Sequence, residues 1–378
     1  MSTDPADTGS QSQSLSGTHQ TAAYVPKRVD EYLKEVLSRN GSDLHFIAGD
    51  PPRIRLFGDL FTLREQKLTQ EVVRTAMFEI MPRTAMNRFE QKDGADFAYS
   101  IPGLSRFRVN VFRHIGGVGA VFRAIPSKAL SLDQLNMPEA VRSLSRVNSG
   151  LILVTGKTGS GKSTTLAAMI DDMNVRLKGH ILTIEDPIEF VHPRKSCLIS
   201  QREIGTHAPS FYEALLSALR EDPDIILVGE LRDYETMSAA VTAAEMGILV
   251  MGTLHTNGAA PTVDRMVNAF PADKQQHVRA MLSTSLRGVI SQQLIPRAGK
   301  PGRVAALEIM VNTPAVANLI RQGKLDQLEN TMQSGAAHGM RTMDSAIQEL
   351  LDKALITGKD AYKKGINKAK FEPVKDNG

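Results

Sequence analysis

The sequence contains very few cysteines and few aromatic residues. Of its 378 residues one is cysteine, Cys197, none is tryptophan, and aromatic residues make up 5%. A single thiol excludes an intrachain disulfide framework and a zinc site built from several cysteines, and it is typical of a reducing compartment. So few aromatic rings do not favour a channel in which single-stranded nucleic acid stacks on side chains. We therefore expect no nucleic acid partner.

Long hydrophobic runs are also missing. No uninterrupted apolar run approaches the roughly 18 residues of a membrane-spanning helix. The first residues lack the charged-then-apolar order of a signal peptide. The formal net charge of +4 is a mild basic excess that scattered surface lysines and arginines explain. These features predict a cytoplasmic protein.

The first part of the chain is a polar tail followed by a small mixed domain. Residues 1–23 are rich in Ser, Thr, Gln and Gly, so we predict a disordered tail. Apolar periodicity predicts helices over residues 29–41 and 69–81. Short strands separated by Gly and Pro are predicted at DLHFIAG, PRIRLFGDL, DFAYSIP, SRFRVNVFRHIGG and GAVFRAI. The sequence thus predicts an α+β domain over residues 24–125.

The pattern changes in the second part of the chain, after a predicted linker over residues 126–137. Apolar strands at LILVTG, HILTIED, DIILVGE and ILVMGTLHT alternate with helices. Strands that are apolar on both faces are typical of a parallel sheet covered by helices. Beyond about residue 260 the sequence is mostly helical, with a strand pair at GVISQQLIP and VAALEIMV. We predict an α/β domain over residues 138–378.

A complete phosphate-binding motif follows the first of these strands. GKTGSGKS, residues 156–163, matches G-x-x-x-x-G-K-[ST], with a strand before it and a helix after it. Its glycines let backbone N–H groups surround a phosphate at a helix N-terminus. Lys162 is expected to reach the β- and γ-phosphates of ATP, and the Ser163 hydroxyl to ligate Mg²⁺. The residues predicted to bind nucleotide here are Gly156, Lys157, Thr158, Gly159, Ser160, Gly161, Lys162, Ser163 and Thr164.

Polar side chains also gather where the other predicted strands end. Glu185, Asp186 and Glu189 follow the second strand, Glu230 the third and His255 the fourth. Because ligands bind at the carboxyl ends of parallel strands, these side chains should border the nucleotide. Mg²⁺ and a hydrolytic water would explain why carboxylates collect there. Taken singly, each carboxylate could instead cap a loop or form an ion pair, and the histidine could be structural.

Four motifs together resemble those of a known family. TGKTGSGKST, ILTIEDPIEF, REDPDIILVGELRD and MGILVMGTLHTN are similar, in order and spacing, to the Walker A, Asp box, Walker B and His box of the secretion-type traffic ATPases. The likeness covers about residues 29–351 and is greatest for the branch that powers type IV pilus retraction. It implies a RecA-like P-loop ATPase core with a smaller N-terminal PAS-like domain.

The resemblance also implies roles for the residues at the strand ends. Glu230 would be the Walker B acid that holds Mg²⁺ through water. Glu189 would be the catalytic glutamate that orients the attacking water, with Glu185 and Asp186 shaping the site. His255 would sense the γ-phosphate.

Arginines of the first domain are further candidates. In SRFRVNVF, residues 105–112, strand alternation puts Arg106 and Arg108 on the face opposite the apolar side chains, and Arg123 follows nearby. Such a row could simply be the solvated face of a sheet. Members of the resembling family are hexameric rings whose N-domain arginines contact ATP across subunit interfaces. An arginine of this kind adds roughly 10³- to 10⁵-fold in rate, so the resemblance makes Arg106, Arg108 and Arg123 catalytic candidates.

The resemblance further implies partners. These are a homo-hexamer and an inner-membrane pilus platform protein at the cytoplasmic face, with a paralogous retraction ATPase as a further candidate. Retraction ATPases carry a segment close to AIRNLIRE, whereas residues 315–322 read AVANLIRQ, with Ala317 in place of an arginine and Gln322 in place of a glutamate. The apolar frame still predicts a helix. The loss of these two charges concerns how this segment couples to retraction. The alternative that the chain is an accessory retraction paralogue remains open.

Three other classes share parts of this pattern. A pilus extension or type II secretion ATPase would carry a four-cysteine zinc module, which this chain cannot form. A ring-shaped nucleic acid translocase would share the core but would need stacking aromatic residues. A nucleotide-binding regulator that does not hydrolyse would not need the set Lys162, Glu189, Glu230 and His255.

Overall fold

The computed structural model describes residues 24–56, 59–125 and 129–376. Contacts between residues divide the chain into two compact units, of which the first ends at Ala124 and the second begins at Ile125. The tail predicted over residues 1–23 lies outside the described residues. Among the helices of the described ranges, none is long and apolar enough to cross a membrane.

The first unit is a mixed domain built on one sheet. Its described helices are α1 (Asp30–Ser38), α2 (Gln70–Ile80) and α3 (Arg83–Lys92). Its described strands are β1 (Asp43–Ile47), β2 (Arg53–Leu56), β3 (Asp59–Thr62), β4 (Gly94–Ile101), β5 (Ser105–His114) and β6 (Gly117–Ile125). They lie in the order β3-β2-β1-β6-β5-β4, and β1 pairs antiparallel with both β2 and β6. This agrees with the α+β domain expected from the sequence.

Local sequence signals explain the helix ends in this unit. The helix α1 stops before Asn40, which has a φ of 56° in the left-handed region that asparagine tolerates. The side chain of Thr69 accepts a hydrogen bond from the backbone N–H of Val72 and caps α2. Helix α3 was not predicted, because only Ala85 and Phe89 of its ten residues are buried and most of the others are polar.

One strand prediction in this unit is wrong. The run PRIRLFGDL was predicted as a single strand, but it contributes to two strands, β2 and β3, that pair antiparallel with each other. Leu56 pairs with Asp59, so the chain has reversed direction between them. Apolar residues in both strands hide the reversal from a pattern analysis.

The second unit is an α/β domain. Its described helices are α4 (Glu139–Leu144), α5 (Lys162–Arg176), α6 (Phe211–Ala218), α7 (Tyr234–Glu245), α8 (Ala259–Asn268), α9 (Gln275–Ser285), α10 (Pro314–Gln322), α11 (Leu328–Ser334), α12 (Met343–Asp352), α13 (Gly358–Lys364) and α14 (Lys368–Phe371). Its described strands are β7 (Gly150–Thr155), β8 (His180–Glu185), β9 (Leu198–Glu203), β10 (Ile225–Val228), β11 (Leu249–Leu254), β12 (Leu286–Pro296) and β13 (Arg303–Val311).

These strands form one sheet in the order β13-β12-β7-β11-β10-β8-β9. All neighbouring pairs are parallel except β12 and β13, which are antiparallel. Every residue of β7, β10 and β11 is buried, and separate apolar clusters cover the sheet. The predicted parallel sheet is therefore confirmed, and the ends of β7, β8, β10 and β11 meet at one edge.

Strand β9 at the sheet edge was not predicted. Three of its six residues are only partly buried and one is exposed, and its sequence LISQRE lacks the continuous apolar run of the central strands. Polar side chains are tolerated on an edge strand because one of its sides has no neighbouring strand. This strand becomes important for the site described below.

Two other segments have local explanations. In the predicted linker, residues 126–128 lie outside the described residues, whereas Leu132 and Met137 are buried in the core of the second unit. The segment AVANLIRQ forms α10, as its apolar frame predicts. The Thr313 side chain caps the start of this helix, and Gly323, with a φ of 70°, ends it.

Candidate nucleotide-binding site

The phosphate-binding loop connects β7 to α5. Gly156 and Gly161 have φ values of 139° and 91°, which side chains rarely adopt. A Cβ atom on Gly156 would lie 2.4 Å from the carbonyl oxygen of Gln292, and one on Gly161 would lie 2.6 Å from the Nε2 atom of that residue. Glycine is therefore required at both positions, and the loop leads directly into the N-terminus of α5.

Lys162 is buried and lies folded into this loop. Its Nζ atom donates hydrogen bonds to the carbonyl oxygens of Gly156, at 2.9 Å, and Lys157, at 3.4 Å. Burial lowers the pKa of the ammonium group, although the charges of Glu230 and Glu189 act in the opposite direction. The loop thus holds a desolvated cation close to two carboxylates, where a phosphate group would provide stronger compensation.

The loop also contains an unsatisfied polar atom. The Ser160 Oγ atom is buried, and within the described part of the chain it has no hydrogen-bond partner. Buried hydroxyl groups usually have partners, so an orphaned one in a glycine-rich loop at a helix N-terminus fits a site that receives an anion. The residues present therefore fit the phosphates of a nucleotide.

A glutamine of β12 holds the phosphate-binding loop through side-chain hydrogen bonds. The Gln292 Nε2 atom donates to the carbonyl oxygen of Ser160 at 2.6 Å, and its Oε1 atom accepts from the Thr165 hydroxyl at 2.8 Å. One buried amide thereby joins the loop to the first turn of α5. The sequence analysis missed this residue, although a glutamine pair inside the apolar run GVISQQLIP was a usable signal.

Replacing Gln292 with leucine is expected to weaken ATP binding about tenfold. The substitution leaves the carbonyl group of Ser160 without its buried donor, which costs roughly 1–3 kcal/mol, and 1.4 kcal/mol is a factor of ten in affinity. Titration with a fluorescent ATP analogue measures the change. The control is the same substitution at Gln348, a partly exposed glutamine of α12 that donates to Asp352. Equal affinity in the two variants would contradict the supporting role.

Glu230 follows β10 and contacts two cationic or ionisable side chains. Its carboxylate oxygens lie 2.6 Å from Arg232 Nη2 and 3.3 Å from His255 Nε2. Burial would raise the pKa of the carboxyl group, but these two partners outweigh it and lower the pKa. The carboxyl group of Glu230 is therefore held in its ionised form. Its contact with His255 joins the end of β10 to the end of the neighbouring strand β11.

The three acidic residues at and just beyond the end of β8 have different environments. Glu185 is buried and accepts hydrogen bonds from the Thr183 hydroxyl at 2.6 Å, the Gln201 amide at 3.2 Å and the Glu189 backbone N–H at 3.4 Å. Burial raises the pKa of Glu185. Asp186 and Glu189 are exposed. Glu185 thus forms part of the wall, whereas the other two carboxylates are accessible to a ligand or water.

These elements surround one cavity of about 410 Å³. The lining combines the phosphate-binding loop, the acidic strand ends and several residues that the sequence analysis did not name. It consists of Thr158, Gly159, Gly161, Lys162, Ser163, Thr164, Glu185, Asp186, Pro187, Glu189, Phe211, Gly229, Glu230, Arg232, Thr253, His255, Leu294 and Arg303. Of the residues predicted for the second unit, Gly156, Lys157 and Ser160 belong to the loop but not to this lining.

The candidate arginines lie in the first unit, whereas the cavity belongs to the second. The predicted alternation of β5 is confirmed, since Phe107, Val109 and Val111 are buried, whereas Arg106 is partly exposed and Arg108 is exposed. Arg108 Nε lies 3.8 Å from Asp96, and both side chains are solvated. Arg123 Nε lies 2.9 Å from the buried carboxylate of Asp43. Arg123 therefore already has a structural partner.

The described residues contain no group of three or more His, Cys, Asp or Glu side chains arranged to hold a metal ion. Mg²⁺ in nucleotide sites does not need such a cage, because phosphates and water supply most of its ligands. The Ser163 hydroxyl and the low-pKa carboxylate of Glu230, both lining the cavity, are the kinds of donor that such an ion uses. The donor set therefore fits Mg²⁺ bound together with a nucleotide.

A parallel sheet with a complete phosphate-binding loop and acidic strand ends at one cavity defines a P-loop ATPase of the RecA-like class. The family described as Type II/IV secretion system protein matches residues 18–360, and the chain belongs to this family.

Two curated relatives come from Pseudomonas aeruginosa. The type IV pilus retractation ATPase PilT is 51% identical over 336 residues, which cover 89% of this chain and 97% of the relative. The type IV pilus ATPase PilU is 38% identical over 332 residues, which cover 88% of this chain and 87% of the relative. The resemblance inferred from the four motifs is confirmed, and the identity to PilT is higher than the identity to PilU.

A solved structure supports the same assignment. The crystal structure of the pilus retraction motor PilT with bound ADP matches with a TM-score of 0.86 and 42% identity, covering 92% of this chain and 100% of that chain. The predicted fold class, an ATPase core with a smaller N-terminal α+β domain, is thereby confirmed.

Proposed function

We propose that the protein is an ATP-hydrolysing motor that powers type IV pilus retraction. The observation that carries this proposal is the single cavity that combines Lys162, Glu189 and Glu230, in a chain 51% identical to PilT over 89% of its length. ATP is hydrolysed to ADP and phosphate, and the free energy is used to withdraw pilin subunits from the fibre. The motor works in the cytoplasm, at the cytoplasmic face of an inner-membrane pilus platform protein.

The cavity residues have different roles in ATP hydrolysis. The loop N–H groups and Lys162 bind the phosphates and neutralise the charge that develops on them. The Ser163 hydroxyl and, through water, Glu230 would hold Mg²⁺, which would supply further charge neutralisation. Glu189 accepts the proton of the attacking water. His255, bonded to Glu230, connects the γ-phosphate position to the end of β11.

The motor assembles as a homo-hexamer in which an arginine of one subunit completes the site of its neighbour. Arg106 and Arg108 are the preferred candidates, because they lie on the polar side of β5. Arg123 is less suited, since its contact with the buried carboxylate of Asp43 would have to be broken first. Arg108 costs little to redirect toward a phosphate, because its solvated ion pair with Asp96 contributes little stability.

Mixing two inactive variants is expected to restore ATPase activity. In a ring that combines Arg108→Ala or Arg106→Ala subunits with Glu189→Gln subunits, about one quarter of the interfaces pair an intact glutamate with an intact arginine. Steady-state hydrolysis, measured after subunit exchange, should therefore rise well above that of either variant alone. The control is Arg113→Ala, an exposed arginine of the same strand that should keep full activity alone. Catalysis in trans is wrong if no arginine variant recovers activity in the mixture.

Genetic complementation tests the biological role. We expect the protein to restore twitching motility to a Pseudomonas aeruginosa strain that lacks PilT. A second candidate is an accessory retraction ATPase like PilU, to which the chain is 38% identical, and rescue of only a PilU-deficient strain would support it. Failure in both strains, with the protein expressed and folded, would count against retraction.

A further inference from the structure

The segment that carries Glu189 has no regular structure of its own. Residues 186–192 connect the end of β8 to the following loop without forming a helix or strand. The position of the Glu189 carboxylate in the cavity therefore depends on what holds this segment. General-base catalysis is sensitive to such placement, because an error of about 1 Å can cost roughly 10²-fold in rate.

One side chain of the neighbouring strand β9 makes two hydrogen bonds to this segment and one to the cavity wall. The Gln201 Nε2 atom donates to the carbonyl oxygen of Phe190 at 2.8 Å and to Glu185 Oε1 at 3.2 Å. The Gln201 Oε1 atom accepts from the backbone N–H of His192 at 2.8 Å. A single amide thus fixes the two residues that flank position 191 and ties them to the cavity wall.

Contacts on the other side of Glu189 come from carboxylates. The Glu203 Oε2 atom accepts from the backbone N–H of Ile188 at 3.1 Å, and Glu185 Oε2 accepts from the Glu189 N–H at 3.4 Å. Gln201 and Glu203 are two residues apart on β9, so they share one face of the strand. This face holds the segment on both sides of Glu189.

We propose that Gln201 is a positioning residue for hydrolysis, which acts by clamping the backbone at Phe190 and His192 so that Glu189 is held in the cavity. This inference rests on the proposed function, because it requires Glu189 to act on the attacking water. Gln201 is absent from the cavity lining, so it acts through the segment and not on the nucleotide. Preorganised catalytic groups depend on such a supporting layer.

Replacing Gln201 with leucine tests its positioning role without disturbing the fold. Gln201 is only partly buried on an edge strand, and leucine keeps its volume and its strand pairing while removing all three hydrogen bonds. In Gln201→Leu we expect kcat to fall about 10- to 100-fold, with the affinity for a fluorescent ATP analogue changed by less than about threefold. The matched control is Ser200→Ala on the opposite face, whose hydroxyl contacts His180 and which should keep wild-type kcat.

Testing Gln201→Leu in the Glu189→Gln variant distinguishes a positioning role of Gln201 from general damage to the site. If Gln201 acts through Glu189, then Gln201→Leu should not lower the residual turnover of Glu189→Gln any further, because effects of residues that act as a unit are not additive. The same factor of loss in both backgrounds would overturn the positioning role. If Gln201→Leu does not fold, as judged by thermal unfolding, Gln201→Glu is tested in its place. It keeps the acceptor for His192, loses both donors, and should also lose kcat.

The results of these experiments distinguish a failure of this inference from a failure of the proposed function. A wild-type protein that hydrolyses ATP, together with Gln201→Leu at full kcat, overturns the clamp and leaves the motor intact. A wild-type protein without turnover overturns the proposed function and the clamp with it. Wild-type turnover, a kcat loss in Gln201→Leu and no further loss in the Glu189→Gln background support the inference.

Discussion

Replacing Lys162 with alanine is expected to abolish measurable ATP binding, with a loss of affinity of at least about 100-fold. The ammonium group lies inside the phosphate-binding loop, and hydrogen bonds between charged partners contribute roughly twice as much as neutral ones. Arg232, a second cation of the cavity, is already paired with Glu230 at 2.6 Å and does not replace it. Without Lys162 the phosphates would face the carboxylates of Glu230 and Glu189 with too little compensating charge.

Stability should respond differently from binding in this variant. Because burial lowers the pKa of Lys162, the folded protein keeps this charge at a cost, and alanine removes that cost. The melting temperature without nucleotide should therefore be preserved. The increase in melting temperature that saturating ATP causes should disappear, since a ligand at about 100 times its Kd stabilises by roughly 2.7 kcal/mol. Lys178→Ala, at an exposed lysine beyond α5, is the control. Normal ATP affinity in Lys162→Ala would refute the phosphate-binding assignment.

Glu189→Gln is expected to keep ATP binding and to lose turnover by about 10²- to 10⁴-fold. An amide can still accept a hydrogen bond from water, but it cannot take its proton, and positioned general bases contribute about this much. Binding should persist because the side chain is exposed at the rim and Lys162 and the loop remain unchanged. Single-turnover hydrolysis and equilibrium binding, measured on the same preparation, separate the two effects.

Glu185→Gln is the matched control for this prediction, since the same chemical change is made four residues away. Glu185 accepts three hydrogen bonds in the wall of the cavity, so its amide variant should lose less turnover than Glu189→Gln. The assignment within the acidic segment is incorrect if Glu185→Gln is inactive while Glu189→Gln turns over normally.

The sequence was sufficient to predict the phosphate-binding loop and the edge of the sheet. The loop motif has a nearly fixed conformation, because glycines at positions such as 156 and 161 permit backbone angles that other residues resist. The central strands were predictable because they are buried on both faces and therefore apolar throughout. Helix α10 was predictable in the same way, from the apolar side chains that α10 buries.

Contacts between distant residues were not predictable in this way. Glu185, Asp186 and Glu189 look equivalent in the sequence, and only burial and hydrogen bonding separate the wall residue from the exposed ones. The supports at Gln201 and Gln292 come from strands that are remote in the chain from the segments they hold. Arg123 likewise follows the same polar pattern as Arg108, but its partner Asp43 is 80 positions away.

Imaging of single pili tests the central claim most directly. In cells that lack their own retraction ATPase and carry fluorescently labelled pilin, we predict that the wild-type protein restores repeated shortening of extended pili. The Glu189→Gln variant, expressed at the same level, should leave extended pili static, because it binds ATP without hydrolysing it. Equal retraction rates with the two proteins would contradict the claim that hydrolysis at this cavity drives retraction.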